Sequence, residues 1–241
     1  MKHLQHFFIL IFVSALPLSL TAQNEFGLHF QHNSQLGELS QEGMLNGRGA
    51  VMEVISPSAI VPESPFKLQA GARFDVSYTG EHRTGLFSAE GNEYYIRNIN
   101  MGLYGLTRVS FQTGPTLQLY LEAMFGGRRF ASTELEDEGQ TSCPKGEGVE
   151  LSTQLIPSWG GSFGTLLHLS EQLAFDIRVT HLRGREINFV DLESVQTIKN
   201  SRYDYQVNRG IASQLMFHVG FNFLMIDYDE MTPTQSRRYM P

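Results

Sequence analysis

The strongest constraint on the fold is the stretch 66–79, in which apolar and polar side chains alternate. From position 67 onward the alternation is unbroken: Leu68 and Phe74 lie on one face, Arg73 and Asp75 on the other. A period of two predicts a β-strand, because successive side chains of a strand point to opposite faces. The segment is also longer than the usual five or six residues of a soluble strand. Long strands with one apolar and one charged face are typical of transmembrane β-barrels.

The N-terminus has the pattern of a secretory signal peptide, with Lys2 near the start, an apolar run at 7–13 and small residues up to Ala22. A buried N-terminal helix is the alternative. The run is too short for a membrane-spanning helix, which needs about 20 apolar residues. We expect cleavage after Ala22. The predicted division is a signal peptide at 1–22, an outer-membrane β-barrel at 23–226 and a polar C-terminal tail at 227–241.

Composition narrows the possible partners and the means of stabilisation. The formal net charge is −7, which argues against a nucleic-acid partner because phosphate binding requires clustered Lys and Arg. The single cysteine, Cys143, excludes a disulfide within the chain. Stability must therefore come from the sheet itself.

Seven further segments alternate in the same way, although the second is the weakest. They predict strands at 26–31, 47–55, 94–110, 116–125, 158–169, 173–180 and 211–223. The fold class is all-β: a closed antiparallel up-and-down transmembrane β-barrel of eight strands.

The predicted connections fall into two sets. Short turns at 111–115 and 170–172 contrast with long polar loops, which are predicted at 33–46, 80–93, 131–157 and 183–208. Short turns at one end and long loops at the other are typical of outer-membrane barrels. Closure of the barrel also pairs the edge groups that hydrocarbon would leave unsatisfied.

An eight-stranded barrel is only wide enough for its own side chains. The alternation places charges of both signs inside it, and we expect these charges to pair because an unpaired buried charge is costly. The predicted structural network consists of Arg73, Asp75, Arg97, Glu122, Asp176 and Arg178. A proton or small-solute path lined by the same groups is the alternative. A wide pore would need about 16 strands.

Aromatic side chains near the predicted strand ends suit an interfacial girdle. The predicted members are Tyr78, Tyr94, Tyr95, Tyr104, Phe130 and Trp159.

The strand–turn–strand segment 160–184 and the closing strand ending Gly220-Phe-Asn-Phe223 resemble the small outer-membrane β-barrel proteins of the OmpX and OmpA transmembrane-domain kind. The resemblance is one of pattern and covers nearly all of the mature chain. It implies an eight-stranded meander in the outer membrane, with a role in adhesion, envelope stability or interaction with other surface proteins. Such barrels often end on the aromatic residue of the last strand, whereas this chain continues for 18 residues (241 − 223) beyond Phe223.

Two patterns suggest chemistry. His168 and Ser170 have a His-x-Ser spacing similar to that of outer-membrane lipid A deacylases, and a serine nucleophile needs such a base within hydrogen-bond reach. The pair lies at a predicted short turn without the flanking pattern of that family, so we assign no catalytic residue. The acidic residues Glu134, Glu136, Asp137 and Glu138 are of the type that binds calcium. They lack a fixed ligand spacing, so we assign no metal and no cofactor.

These expectations combine into a non-enzymatic outer-membrane barrel with a structural, adhesive or complex-subunit role exercised through long extracellular loops. The expected partners are outer-membrane lipid and, through the loops, other envelope proteins or host and surface ligands. One alternative is a secreted soluble β-barrel that binds a small lipid, which requires an apolar lumen and a polar exterior. Another is a lipid-modifying outer-membrane enzyme.

Overall fold

The computed structural model describes residues 24–42, 44–56, 59–60, 66–87, 93–137, 149–198 and 202–224. The predicted signal peptide, the predicted tail and Cys143 lie outside these residues. The eight barrel strands are β1 (Glu25–Gln35), β2 (Gly47–Ile55), β3 (Phe66–Phe87), β4 (Glu93–Gln112), β5 (Leu117–Asp137), β6 (Val149–His168), β7 (Leu173–Val190) and β8 (Val207–Leu224).

Each barrel strand pairs in antiparallel fashion with its neighbours in the chain, and β1 pairs with β8 to close the sheet. Phe26 lies opposite Phe223 at this closure. The remaining pairs follow chain order from β3 to β8. The predicted closed, up-and-down barrel of eight strands is therefore confirmed.

The two ends of the barrel differ. At one end, here called the turn end, lie Glu25, Leu224 and the connections 113–116 and 169–172. The opposite end, the far end, carries the connections from β1 to β2 and from β7 to β8.

The connections at these ends contain short elements. They are helix α1 (Glu38–Gln41), a 3₁₀ turn (Leu192–Ser194), a strand (Ala59–Ile60) beside β3, and a hairpin of Gln196–Ile198 with Arg202–Asp204. No helix in the described ranges is long and apolar enough to cross a membrane.

Side chains alternate between the two surfaces of the barrel wall, and the outer surface is apolar. Phe30 is 80% exposed and Phe125 is 66% exposed. Other large apolar side chains on this surface include Leu28, Met52, Leu68, Leu121, Trp159, Phe163, Ile177, Val179, Leu215, Phe217, Phe221 and Phe223.

Two members of the predicted aromatic girdle lie inside the barrel instead. Tyr104 and Phe130 are 1% and 3% exposed, because each falls on the inward phase of its strand. Tyr78 and Trp159 are exposed on the outer wall as the girdle requires.

The sequence analysis predicted loops that are longer than those in the structure. Strand β3 continues to Phe87, β5 to Asp137 and β7 to Val190, so much of the predicted loops 80–93, 131–157 and 183–208 is paired strand. The reason is physical: beyond the apolar band both strand faces accept polar side chains. The apolar–polar alternation then fades while the backbone hydrogen bonds continue.

Glycine permits a close approach between β6 and β7. A Cβ on Gly160 would lie 2.0 Å from the backbone oxygen of His181. Gly105, on the outer wall, is different: the nearest atom to its added Cβ is the Phe125 backbone oxygen, at 3.9 Å. Glycine inside a strand often marks such a bend or close backbone contact.

We expect Gly160→Ala to destabilise the barrel by about 1–3 kcal/mol, because the added methyl forces the two strands apart. Urea titrations followed by circular dichroism in detergent micelles would measure the free energy of unfolding. Gly105→Ala is the matched control and should change this free energy by less than about 0.5 kcal/mol. Equal stability of the two variants would contradict the steric argument.

Candidate functional site: a charged network in the lumen

Five buried charged residues meet at the centre of the lumen, and we call them the Arg–Glu cluster: Glu53, Arg73, Arg108, Glu122 and Arg178. Each arginine contacts both glutamates. Arg73 Nη2 lies 2.9 Å from Glu53 and 2.6 Å from Glu122, and Arg108 Nη2 lies 2.9 Å and 2.7 Å from the same two carboxylates. For Arg178 Nη1 the distances are 2.8 Å and 3.4 Å.

The register of the sheet places four of these side chains in opposed pairs. Glu53 on β2 lies opposite Arg73 on β3, and Arg108 on β4 lies opposite Glu122 on β5. Opposite charges at directly facing positions stabilise a strand pair. Arg178 reaches the cluster from β7, so closure of the barrel is what brings it into contact with Glu53.

Three guanidinium groups and two carboxylates leave one positive charge, and two further carboxylates lie next to the cluster. Glu25 Oε1 lies 3.0 Å from Arg108 Nη1. Asp176 lies 3.7 Å from Arg178 and 3.1 Å from His29 Nε2, and it accepts a 2.6 Å hydrogen bond from the Tyr120 hydroxyl. Each charged group of the Arg–Glu cluster is therefore in contact with at least one group of opposite charge, as burial of a charge requires.

A second polar layer lies between the cluster and the far end. Arg128 Nε donates to the Tyr104 hydroxyl at 2.9 Å, and Arg128 Nη1 donates to Gln214 Oε1 at 2.9 Å. Gln214 Nε2 in turn donates to Gln35 Oε1 at 2.9 Å. Asp75 lies beside the Tyr104 side chain in the same layer.

Apolar side chains fill the lumen between these polar layers and the far end. Leu39 of α1 is fully buried, and Met44 after it packs in the same cluster, against Phe130, Ile156 and Phe189 from the barrel wall. Hydrogen bonds tie this connection to β8: Leu36 N donates to the Ser213 carbonyl, Ile211 N donates to Glu38, and the Asn208 side chain donates to the Glu42 carbonyl. A second apolar cluster, formed by Ile96, Val190, Leu192 and Val195, lies beneath the β7–β8 connection.

Five of the six predicted lumen residues lie inside the barrel. Arg73, Asp75, Glu122, Asp176 and Arg178 are all at most 5% exposed. They do not form a single contact group: Asp75 belongs to the layer of Tyr104, and Asp176 lies beside His29.

The placement of Arg97 in the lumen was wrong. Arg97 shares the phase of Ile99 and Met101 on β4 and lies on the outer wall. It forms a 2.9 Å ion pair with Glu81, and its guanidinium carbon lies 5.1 Å from the ring centroids of Tyr78 and Tyr95. An outward charge is tolerated here because β3 and β4 continue past this point with further charged pairs, such as Arg83 with Glu93.

The sequence analysis missed several lumen residues. Glu53, Arg108, Arg128, Glu25 and His29 are buried, and each has the phase that its strand's alternation assigns to the interior. Strand phase was therefore a sufficient signal to find them. Their partners were not readable, because contacts such as Arg178 with Glu53 join residues far apart in sequence.

One group in the lumen has metal-binding side chains. Ligand atoms of His29, Glu53 and Asp176 lie within 4.8 Å of one another. However, Glu53 already accepts hydrogen bonds from Arg73 and Arg178, and Arg178 Nη2 contacts a His29 ring nitrogen at 2.8 Å. A cation there would have to displace guanidinium groups, so the cluster is arranged for pairing between side chains.

The His168–Ser170 pair has other partners. His168 Nε2 lies 3.4 Å from Gln118 Oε1, while the Ser170 hydroxyl accepts a hydrogen bond from the backbone of Gln172 within its own turn. Of the acidic residues considered for calcium, Glu134, Glu136 and Asp137 belong to strand β5. Glu138 lies outside the described residues.

Comparisons with known proteins return solved structures only. No family model matches the chain. No curated protein matches its sequence either. Three of the similar structures are Neisserial surface protein A, the attachment invasion locus protein Ail of Yersinia pestis and the outer membrane protease OmpT of Escherichia coli.

Identity to these structures is low. It is 11% for Neisserial surface protein A, with a TM-score of 0.43, covering 84% of this chain and 96% of that one. For Ail the identity is 10% and the TM-score 0.39, covering 83% and 97%. For OmpT the identity is 7% and the TM-score 0.42, and the match covers 85% of this chain and 97% of OmpT.

We expect Glu53→Gln to destabilise the barrel by about 3–5 kcal/mol, because each of the three buried arginines would lose one of its carboxylate partners. Urea titration in detergent micelles would measure the change in the free energy of unfolding. Glu186→Gln is the control: it removes a carboxylate from an exposed ion pair with Arg209 and should cost no more than about 1 kcal/mol. Similar losses in the two variants would show that the cluster does not stabilise the fold.

Proposed function

We propose that the protein is a non-enzymatic β-barrel of the bacterial outer membrane, in which a closed barrel anchors a water-exposed far end that is available to partners. The observation that carries the proposal is the polarity of the wall. Charged groups such as Arg73 and Glu122 are buried in the lumen, whereas large apolar side chains such as Phe30 and Phe125 point outward.

The outward apolar surface favours a hydrocarbon environment. It runs around the barrel, with exposed members on β1 (Leu28), β5 (Leu121), β6 (Phe163) and β8 (Phe217). Soluble monomers rarely expose a contiguous apolar surface of this kind. A closed barrel satisfies all backbone groups between strands, which is what hydrocarbon requires of a spanning structure.

The soluble lipid-binding alternative is disfavoured by the same observation. It requires an apolar lumen, yet the centre of the described lumen holds the Arg–Glu cluster and, next to it, Asp176 and His29. The enzymatic alternative is disfavoured by the His168–Ser170 geometry, since neither side chain is oriented by the other in the described structure.

The far end supports a role in contact with other molecules. Beyond the apolar band, ion pairs line the outer surface of the extended strands, including Arg83 with Glu93 and Arg209 with Glu186. Such a charged rim suits a scaffold whose connections carry function. An adhesive role, or a role as a subunit of an envelope complex, is consistent with this arrangement, and secretion with cleavage after Ala22 remains part of the proposal.

The membrane assignment predicts a heat-dependent gel mobility. In the presence of SDS, the unboiled protein from the membrane fraction should migrate differently from the boiled protein, because a closed barrel resists SDS until it is heated. Recovery in the soluble fraction, with the same mobility before and after boiling, would contradict the proposal.

Because side chains fill the lumen, we predict that the barrel does not conduct ions. Purified protein inserted into planar lipid bilayers should give no steady conductance, because the Arg–Glu cluster and the buried Leu39 region occupy the interior. A porin reconstituted in the same way provides the positive control. Reproducible, ion-selective steps from the wild-type protein would favour the solute-path alternative.

A further inference from the structure

A shallow groove of about 560 Å³ runs over the outer wall across β1 to β4. Its apolar part includes Phe30, Ala50, Val76 and Ile99. Arg48, Arg97 and Tyr78 line the same groove.

Arg48 is the unusual member of this groove. It points outward on β2, is exposed, and lies opposite His32 on β1 and Tyr78 on β3. Within the described part of the chain its side chain has no ion pair and no hydrogen bond. Arg48 lies at the level of Tyr78, at the edge of the apolar band. An arginine at this depth extends toward the lipid headgroups, where an anion meets it.

Arg97 is held in place beside the same groove. Its ion pair with Glu81 and its position near the Tyr78 and Tyr95 rings restrict its side chain. Because Glu81 offsets the charge of Arg97, the uncompensated positive charge of the groove is that of Arg48. The apolar groove therefore lies next to Arg48, whose positive charge has no counterion among the described residues.

We propose that this groove binds a lipid whose headgroup carries a phosphate, with the phosphate on Arg48 beside Arg97 and an acyl chain along Phe30, Val76 and Ile99. Guanidinium groups bind phosphate through paired, charge-assisted hydrogen bonds. The apolar floor accepts the part of the ligand that inorganic phosphate lacks. The inference rests on the proposed membrane location, since only there does Arg48 meet lipid.

The test is native mass spectrometry of the protein in a non-ionic detergent, titrated with phosphatidic acid. Diacylglycerol with the same acyl chains tests the need for phosphate, and inorganic phosphate tests the need for the acyl chain. Arg48→Gln removes the proposed contact. Arg185→Gln is the charge-matched control, because Arg185 is an exposed arginine on β7, away from the groove.

We expect one phosphatidic acid to remain bound to the wild-type protein and to Arg185→Gln. Arg48→Gln should bind it at least about tenfold more weakly, the cost of losing one charge-assisted contact. Diacylglycerol and inorganic phosphate should not be retained. Equal retention of diacylglycerol and phosphatidic acid, or equal affinity of the two variants, would overturn the proposal.

The gel-mobility experiment separates this inference from the proposed function. A heat-dependent mobility shift with no selective lipid retention would reject the groove and leave the membrane barrel intact. Loss of the shift in the wild-type protein would reject both. A normal shift in Arg48→Gln is the condition for reading its lipid affinity, because it shows that the variant is folded.

Discussion

The barrel depends on the six contacts that three arginines make with two glutamates at the centre of the lumen. Bringing five charges out of water is expensive, and the cost is offset only where the geometry satisfies each group. Arg73, Arg108 and Arg178 meet this condition by each contacting Glu53 and Glu122. The cluster joins β2, β3, β4, β5 and β7, so it acts on most of the circumference. Removing either glutamate would cost every arginine of the cluster one of its carboxylate partners.

The same contacts define the register. Glu53 faces Arg73, and Arg108 faces Glu122, across two adjacent strand pairs. A slip of one residue would reverse the faces of a strand and place its charges among the outward apolar side chains. The inside charge network and the outside apolar band therefore specify the same alignment from opposite sides of the wall.

The phase of the alternation in each strand was enough to predict which side chains face the lumen and which face outward. The alternation in 66–79 predicted the faces of β3 correctly, and the same rule applied to β4 assigns Arg108 to the lumen and Arg97 to the outer wall. The strand lengths were less accessible, because polar residues occupy both faces once the strands leave the apolar band. Contacts across the barrel, such as Arg178 with Glu53, depend on closure, which no local pattern encodes.

Most arginines of the barrel wall have a partner that carries a negative charge or accepts a hydrogen bond. Those inside have carboxylate, tyrosine or amide partners, as Arg108 does with Glu122 and Arg128 with Tyr104 and Gln214. Arg97, on the outer wall, has Glu81. In the described structure Arg48 has no such partner, although it lies beside an apolar groove. Beside that groove, the Arg48 guanidinium is free to meet an anion, and the lipid of the proposed membrane location supplies one.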